Sequence, residues 1–234
     1  MRITSGQPTP DSPVHRAILV VDIENSTGRR DPEKARLRRR LYHLLEDALQ
    51  MSGVSPADRD ALVDRGDGVL VLIHPADHLP KSLLLTMLAP ALDALVLEHN
   101  GAFPHLRLGL RMALHAGEIH HDPQGPFGEA IDLACRLLDS PELKATLKRG
   151  SAPTALAVSH HLYDTIVRHQ YAGIDAAVYQ PLIRVNLADT VRRGWVRQPR
   201  QRVLSRLPHP ARSRGRLGAC GDQYLKVSSS TPPG

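Results

Sequence analysis

Ala17-Ile-Leu-Val-Val-Asp-Ile-Glu-Asn-Ser-Thr-Gly28 and Asp64-Arg-Gly-Asp-Gly-Val-Leu-Val-Leu-Ile73 decide how this chain folds. Residues 17–21 form a short continuous apolar run with β-branched members, the pattern of a strand buried on both faces. The run stops at Asp22, and Glu24 to Gly28 make a polar turn. In the second stretch, Ala61-Leu-Val63 and Val69 to Ile73 flank Gly66-Asp67-Gly68, which predicts a β-hairpin. Between the two stretches a helix is expected from about Asp31, with Pro32 suited to its first turn. Leu37, Leu41, Leu44, Leu45, Ala48 and Leu49 recur at helical spacing and form one face of it.

A leucine-rich helical pattern follows from Pro80 to about Glu98, with Pro90 expected to kink it. Leu106, Leu108, Leu110, Met112 and Leu114 alternate as in a half-buried strand. A turn at Asp122–Gly125, a helix over Phe127–Leu138, a strand over Thr154–Val158, a short helix over His160–His169 and a strand over Val178–Asn186 complete the pattern. The order strand, helix, hairpin, helix, strand predicts a ferredoxin-like βαββαβ sandwich, an α/β (α+β) fold with C-terminal additions. In that topology the first and third strands are antiparallel neighbours. Asp22, ending the first, and Asp67, opening the third, are therefore expected side by side.

The chain has 234 residues, of which 41% are hydrophobic and 3% aromatic. That composition suits one core-forming domain and disfavours nucleic-acid modules that stack bases on aromatic platforms. Cys135 and Cys220 cannot make a disulfide framework. No apolar run is expected to reach the roughly 20 residues of a membrane span, and residues 1–8 lack the apolar core of a signal peptide; a cytoplasmic protein is expected. The formal charge is +6, and residues 200–234 account for all of it, with seven basic residues against Asp222 alone. The expected organisation is a disordered lead-in over 1–14, one domain over 15–198, and a basic, disordered tail over 199–234. Such a tail gives at most nonspecific contact with nucleic acid.

Two carboxylates meeting at strand ends, with little else to neutralise them, invite Mg²⁺ or Mn²⁺, which keep waters and phosphate oxygens as their other ligands. Asn25, Ser26, Thr27 and Gly28 are small enough to let phosphates approach the backbone, and the N–H groups of the following helix start could receive them. This chemistry points to phosphoryl transfer on a metal-bound nucleotide. The simpler alternative is that Asp22 caps a turn and Asp67 fills a hairpin position where Asp is common. Among other residues, His115, His120 and His121 read as strand-end and loop histidines, Ser159 as a helix N-cap, Cys135 as core, and Arg36, Arg38, Arg39 and Arg40 as a solvated or dimer-contact face.

Val20-Val-Asp-Ile-Glu-Asn-Ser26, Arg65-Gly-Asp-Gly-Val-Leu70, Leu110-Arg-Met-Ala-Leu-His-Ala-Gly117, Gly125-Pro-Phe-Gly-Glu-Ala-Ile-Asp-Leu-Ala-Cys-Arg136 and Ala157-Val-Ser159 occur in this order over about 15–198. This set resembles the class III nucleotide cyclase catalytic domain, close to stand-alone bacterial versions. The resemblance implies two metal ions on Asp22, Asp67 and the Ile23 carbonyl, and a nucleoside triphosphate converted to a 3′,5′-cyclic nucleotide and pyrophosphate for intracellular signalling. It also implies a head-to-tail homodimer whose sites are completed across the interface. Such enzymes carry an Asn and an Arg four residues apart, one orienting the ribose and the other stabilising the transition state. Arg136 stands at the Arg position, and Asp132 stands where the family has Asn. The purine-reading Lys and Asp are also replaced, by Val63 and at or near Gly125, so the base is unassigned and a pyrimidine is as open as a purine. Bacterial pyrimidine cyclases of antiphage signalling resemble the same class. Asp64 and Arg65 are nearby polar candidates. A second reading is a cyclase-like domain that binds a nucleotide or a protein partner without turnover. A third is a nucleic-acid-associated protein working through the tail.

Overall fold

The computed structural model describes residues 12–198. The expectations for residues 1–11 and 199–234 lie outside them. The strands are β1 (Val14–Ile23), β2 (Val63–Asp64), β3 (Gly68–Ile73), β4 (Leu110–Asp122), β5 (Gly125–Phe127), β6 (Thr154–Ser159), β7 (Tyr179–Leu187) and β8 (Thr190–Arg197). The helices are α1 (Asp31–Met51), α2 (Lys81–Leu83), α3 (Ala89–Ala102), α4 (Glu129–Asp139), α5 (Pro141–Arg149) and α6 (His160–Thr165). The strands form one sheet in the order β2-β3-β1-β4-β6-β8-β7, with β5 paired to β4. Its first four members reproduce the ferredoxin-like order, and β1 is antiparallel to both β3 and β4. β6, parallel to β4, and the β7–β8 hairpin extend it.

Period-two alternation divides the core between the two sheet faces. Leu19, Val21, Val69, Val71, Met112 and Leu114 meet the helices α1 and α3. Ile18, Val20, Leu70, Leu72, Ala113 and Ala157 meet α4 and α5. The buried face of α1 consists of the six apolar residues anticipated from spacing. Each fully buried leucine there stabilises the fold by on the order of 2 kcal/mol.

Pro90 is answered by a π-helical turn over Leu84–Leu88, directly before α3. Proline has no N–H for the preceding turn and its ring crowds the carbonyl four residues back; a widened turn relieves both. The helical segment Lys81–Ala102 is 22 residues long and, by length and composition, apolar enough to cross a membrane, contrary to the expectation that no such stretch exists. Here Leu84, Leu85, Leu88, Leu92 and Val96 are built into the core beside the sheet.

Several boundaries differ from expectation. β1 begins at Val14, inside the expected lead-in, because Val14 pairs with Ile119 on a β4 longer than foreseen. The alternation at Leu106 and Leu108 is not strand: Leu106 closes a 3-10 turn and Leu108 is tied to α3. The buried Asn100 donates to the Leu108 carbonyl at 2.8 Å and accepts the Leu108 N–H at 2.7 Å. This clamp sets Gly109, whose carbonyl accepts the Glu24 N–H at 2.8 Å, so it reaches the loop after Asp22. Asn100→Ala strands both buried Leu108 groups and is expected to cost about 3 kcal/mol, read as a lowered midpoint in chemical denaturation. Leu108→Ala serves as the packing control.

The arginine run is also less exposed than its sequence suggested. Arg36 and Arg39 face solvent, but Arg38 bonds Asp64 and Arg40 bonds His99. A charge run on a helix turns inward wherever a neighbouring element offers an acceptor.

Candidate metal and phosphate site

Three strand ends converge on the site. Asp22 lies opposite Gly68 of β3 and Arg111 of β4. The Ile23 N–H donates to the Asp67 carbonyl at 3.1 Å, closing the turn onto β1. Glycine at 68 is required by the approach itself: a Cβ there would stand 2.5 Å from the Val21 carbonyl oxygen and 3.4 Å from an Asp22 carboxylate oxygen. Asp22 and Asp67 are thus brought together as strand pairing demands.

The carboxylates are not uncompensated, and that expectation is corrected. The Asp22 carboxylate pairs with the Arg111 guanidinium, and both side chains are nearly buried. The Asp67 carboxylate accepts the Ser26 hydroxyl. Arg111 also reaches the Leu138 carbonyl at 3.4 Å and Asp139 at 3.5 Å, while its Nε has no partner. Burial lowers the Arg111 pKa from its ordinary value, with Asp139 acting the other way.

A cavity of about 440 Å³ opens beside this group, walled by residues 23–28, Asp67, Arg111, Lys144 and Lys148. Asn25, Ser26, Thr27 and Gly28 therefore sit where phosphates were expected. The two lysines stand four residues apart on one face of α5. A neighbouring cavity of about 330 Å³ shares Ile23, Ser26, Thr27 and Asp67 and adds Lys34 and Arg38 of α1. Asp31 and Glu33 in the first turn of α1 border neither cavity, while Lys34 of that turn lines the smaller one, so the loop and Lys34, not the acidic helix start, are the surface offered to phosphate.

Asp132 and Arg136 lie exposed on α4, line neither cavity, and form no ion pair with each other. Within the chain they do not border the cavities that Asp67 lines. Val63 packs against the same core as Leu133 and Cys135 of α4, so the position expected to read the base presents an aliphatic side chain. Cys135 is half-buried against the core, and burial raises its thiol pKa. Ser159 caps α6, its Oγ accepting the Leu162 N–H at 3.3 Å. His115, His120 and His121 all lie within β4, and His115 is buried.

Sequence reasoning missed Arg111, Lys144 and Lys148 as parts of the site. For Arg111 the signal was its register, since a charged residue interrupts an apolar strand directly across from Asp22. For the lysines it was Ser140-Pro141 followed by Leu143 and Leu147, a capped helix start with an apolar stripe.

Among the described residues no group of three or more His, Cys, Asp or Glu side chains forms a metal cage. Mg²⁺ and Mn²⁺ need only one or two carboxylates when substrate phosphates and waters supply the rest. Asp22 and Asp67 beside a cationic cavity fit that donor set. Ile23, whose carbonyl is the further ligand implied by the resemblance, lines both cavities.

No family model and no curated protein matches the chain. Solved structures do. An adenylate/guanylate cyclase/hydrolase from Silicibacter pomeroyi superposes with a TM-score of 0.56 at 19% identity, covering 81% of this chain and 99% of that one. The adenylyl cyclase CyaB from P. aeruginosa gives 0.54 at 13% identity, over 81% and 97% of the two chains. The guanylyl cyclase Cya2 gives 0.53 at 14%, over 80% and 92%. The chain has the nucleotide-cyclase fold. In this chain the loop after β1, the β2–β3 turn and β4 meet at one end of the sheet, where Asp22, Asp67 and Arg111 lie. The identities are too low to carry anything beyond the fold.

Proposed function

We propose that the protein is a metal-dependent nucleotide cyclase that converts a nucleoside triphosphate to a 3′,5′-cyclic nucleotide and pyrophosphate for signalling. The observation that carries this reading is the strand pairing that sets Asp22, bound to Arg111, beside a cavity walled by Asp67, a small-residue loop, Arg111, Lys144 and Lys148. In the reaction the substrate's 3′-oxygen bonds to the α-phosphorus, the bond to the β-phosphate oxygen breaks, and the hydroxyl proton is released. Asp22, Asp67 and the Ile23 carbonyl would hold divalent cations, whose chemistry there would be neutralisation of phosphate charge and activation of that hydroxyl. The loop 25–28 offers its backbone to the phosphates. Lys144 and Lys148 add fixed positive charge for the departing pyrophosphate, and Arg111 exchanges its Asp22 contact for a phosphate oxygen.

Arg136 and Asp132 act from a second copy of the chain, because in one protomer they stand apart from the cavity. Arg136 meets charge developing on the α-phosphate, and Asp132 accepts a ribose hydroxyl proton as a hydrogen bond. The aliphatic Val63 leaves the base unassigned, purine or pyrimidine.

Turnover is tested with the purified full chain, Mn²⁺ and each of the four labelled ribonucleoside triphosphates. A cyclic monophosphate and pyrophosphate are expected from at least one of them. Nucleotide binding without product from any would favour the non-catalytic binding module, a reading that Asp132 in place of Asn motivates. The composite site has its own test. Asp67→Ala and Arg136→Ala should each be inactive alone, and mixing them should restore about a quarter of wild-type activity, as statistical exchange leaves one intact site in half of the dimers. Mixtures no more active than their parents would place both residue sets in one protomer.

A further inference from the structure

A separate cavity of about 830 Å³ lies between α4, α6 and β8 and shares no residue with the candidate site. Its volume falls in the range of roughly 300–1,000 Å³ that houses small organic ligands. His115 forms part of its wall and is only 8% exposed. Its Nδ1 is 2.8 Å from the Ser159 hydroxyl oxygen, and its Nε2 has no hydrogen-bond partner among the described residues.

The tautomer follows from satisfying the serine. Ser159 is 1% exposed, and its oxygen already accepts the Leu162 N–H. Among the described residues its own proton has one acceptor within reach, the His115 Nδ1. The neutral ring then carries its proton on Nε2. Burial, reinforced by the cationic neighbours His161, His15, Arg192 and Lys81, holds the ring's pKa down at about 4, so the neutral form prevails at physiological pH.

Gly117 keeps this N–H open. A Cβ at 117 would stand 3.3 Å from the His115 Nε2 and 2.9 Å from the Ala130 Cβ. The carboxylates of the wall are already engaged: Glu118 with His15 at 2.9 Å, Glu129 with Arg192 at 2.6 Å, and Asp164 with His160 at 3.2 Å. Arg193 borders the same cavity and has no ion-pair partner among the described residues. His115, whose Nε2 no described residue engages, and Arg193, which has no ion-pair partner among them, thus line one cavity, and both groups call for an acceptor of negative charge.

We propose that this cavity is a separate anion-binding site, taking the carboxylate or phosphate group of a small molecule through the His115 Nε2–H and the Arg193 guanidinium over the gap left by Gly117. The proposal does not depend on the cyclase reading.

Long-range proton–nitrogen NMR of the histidine rings in the full chain tests it, with inorganic phosphate and acetate titrated separately. The His115 ring is expected in the Nε2–H tautomer, and its Nε2 signal is expected to shift saturably with at least one anion at millimolar concentration. A response to phosphate alone assigns a phosphate-bearing ligand, and a response to acetate alone a carboxylate. Arg193→Gln should weaken the responding anion roughly fivefold. An Nδ1–H tautomer, no shift with either anion, or an unchanged midpoint in Arg193→Gln would each overturn the proposal.

Discussion

Replacing Asp67 with Ala is expected to lower nucleotide turnover by about a thousandfold while costing only about 1 kcal/mol of stability. Asp67 is only half-buried; its backbone carbonyl accepts the Ile23 N–H, and its carboxylate accepts the Ser26 hydroxyl. A methyl side chain leaves the first bond in place and removes the second. What disappears is the carboxylate beside Asp22, and with it half of the anionic charge available to the cations. Steady-state rates with Mn²⁺, measured beside a denaturation curve, separate chemistry from stability. Turnover within a few-fold of wild type would remove Asp67 from the metal assignment. Asp22→Ala is the less informative variant because it also strands Arg111, which is itself nearly buried.

The second large effect concerns that arginine. Arg111→Met is expected to cost about 3 kcal/mol of metal-free stability, since it leaves the Asp22 carboxylate buried without its partner. It is also expected to change the response to Mn²⁺. In the wild type an added cation competes with the guanidinium for Asp22. In the variant it replaces the missing charge, so Mn²⁺ should raise the denaturation midpoint further than it does in the wild type. Equal metal-free stabilities would show that the pair does not form in solution. Equal Mn²⁺ responses would show that Arg111 and the cation do not share Asp22.

What could be read from sequence followed the strength of local periodicity. The apolar run before Asp22, the α1 stripe from Leu37 to Leu49 and the hairpin around Asp67 each carry one unambiguous period. Together they gave the topology and the meeting of the two acids. Ser159 as a cap followed from residue type and position. The rest needed tertiary information. Leu106 and Leu108 alternate like a strand but belong to a loop, because Asn100 satisfies the Leu108 backbone groups that a ladder would otherwise claim. β8 was missed because Val191-Arg-Arg-Gly-Trp195 mixes charge with apolar residues. Its turn depends on Ala188 and Asp189 taking positive φ, which Asp tolerates but Ala does not advertise. Arg111 and the α5 lysines were invisible for another reason: a cation's role here depends on which carboxylate or cavity faces it, and register alone decides that.

The central claim is that Asp22 and Asp67 jointly hold divalent cations against phosphate, and Mn²⁺ binding followed by electron paramagnetic resonance, with and without pyrophosphate, tests it most directly. Pyrophosphate should strengthen Mn²⁺ binding to the wild-type chain by at least about tenfold, and Asp67→Asn should abolish that gain. Identical Mn²⁺ isotherms for wild type and Asp67→Asn in the presence of pyrophosphate would contradict it.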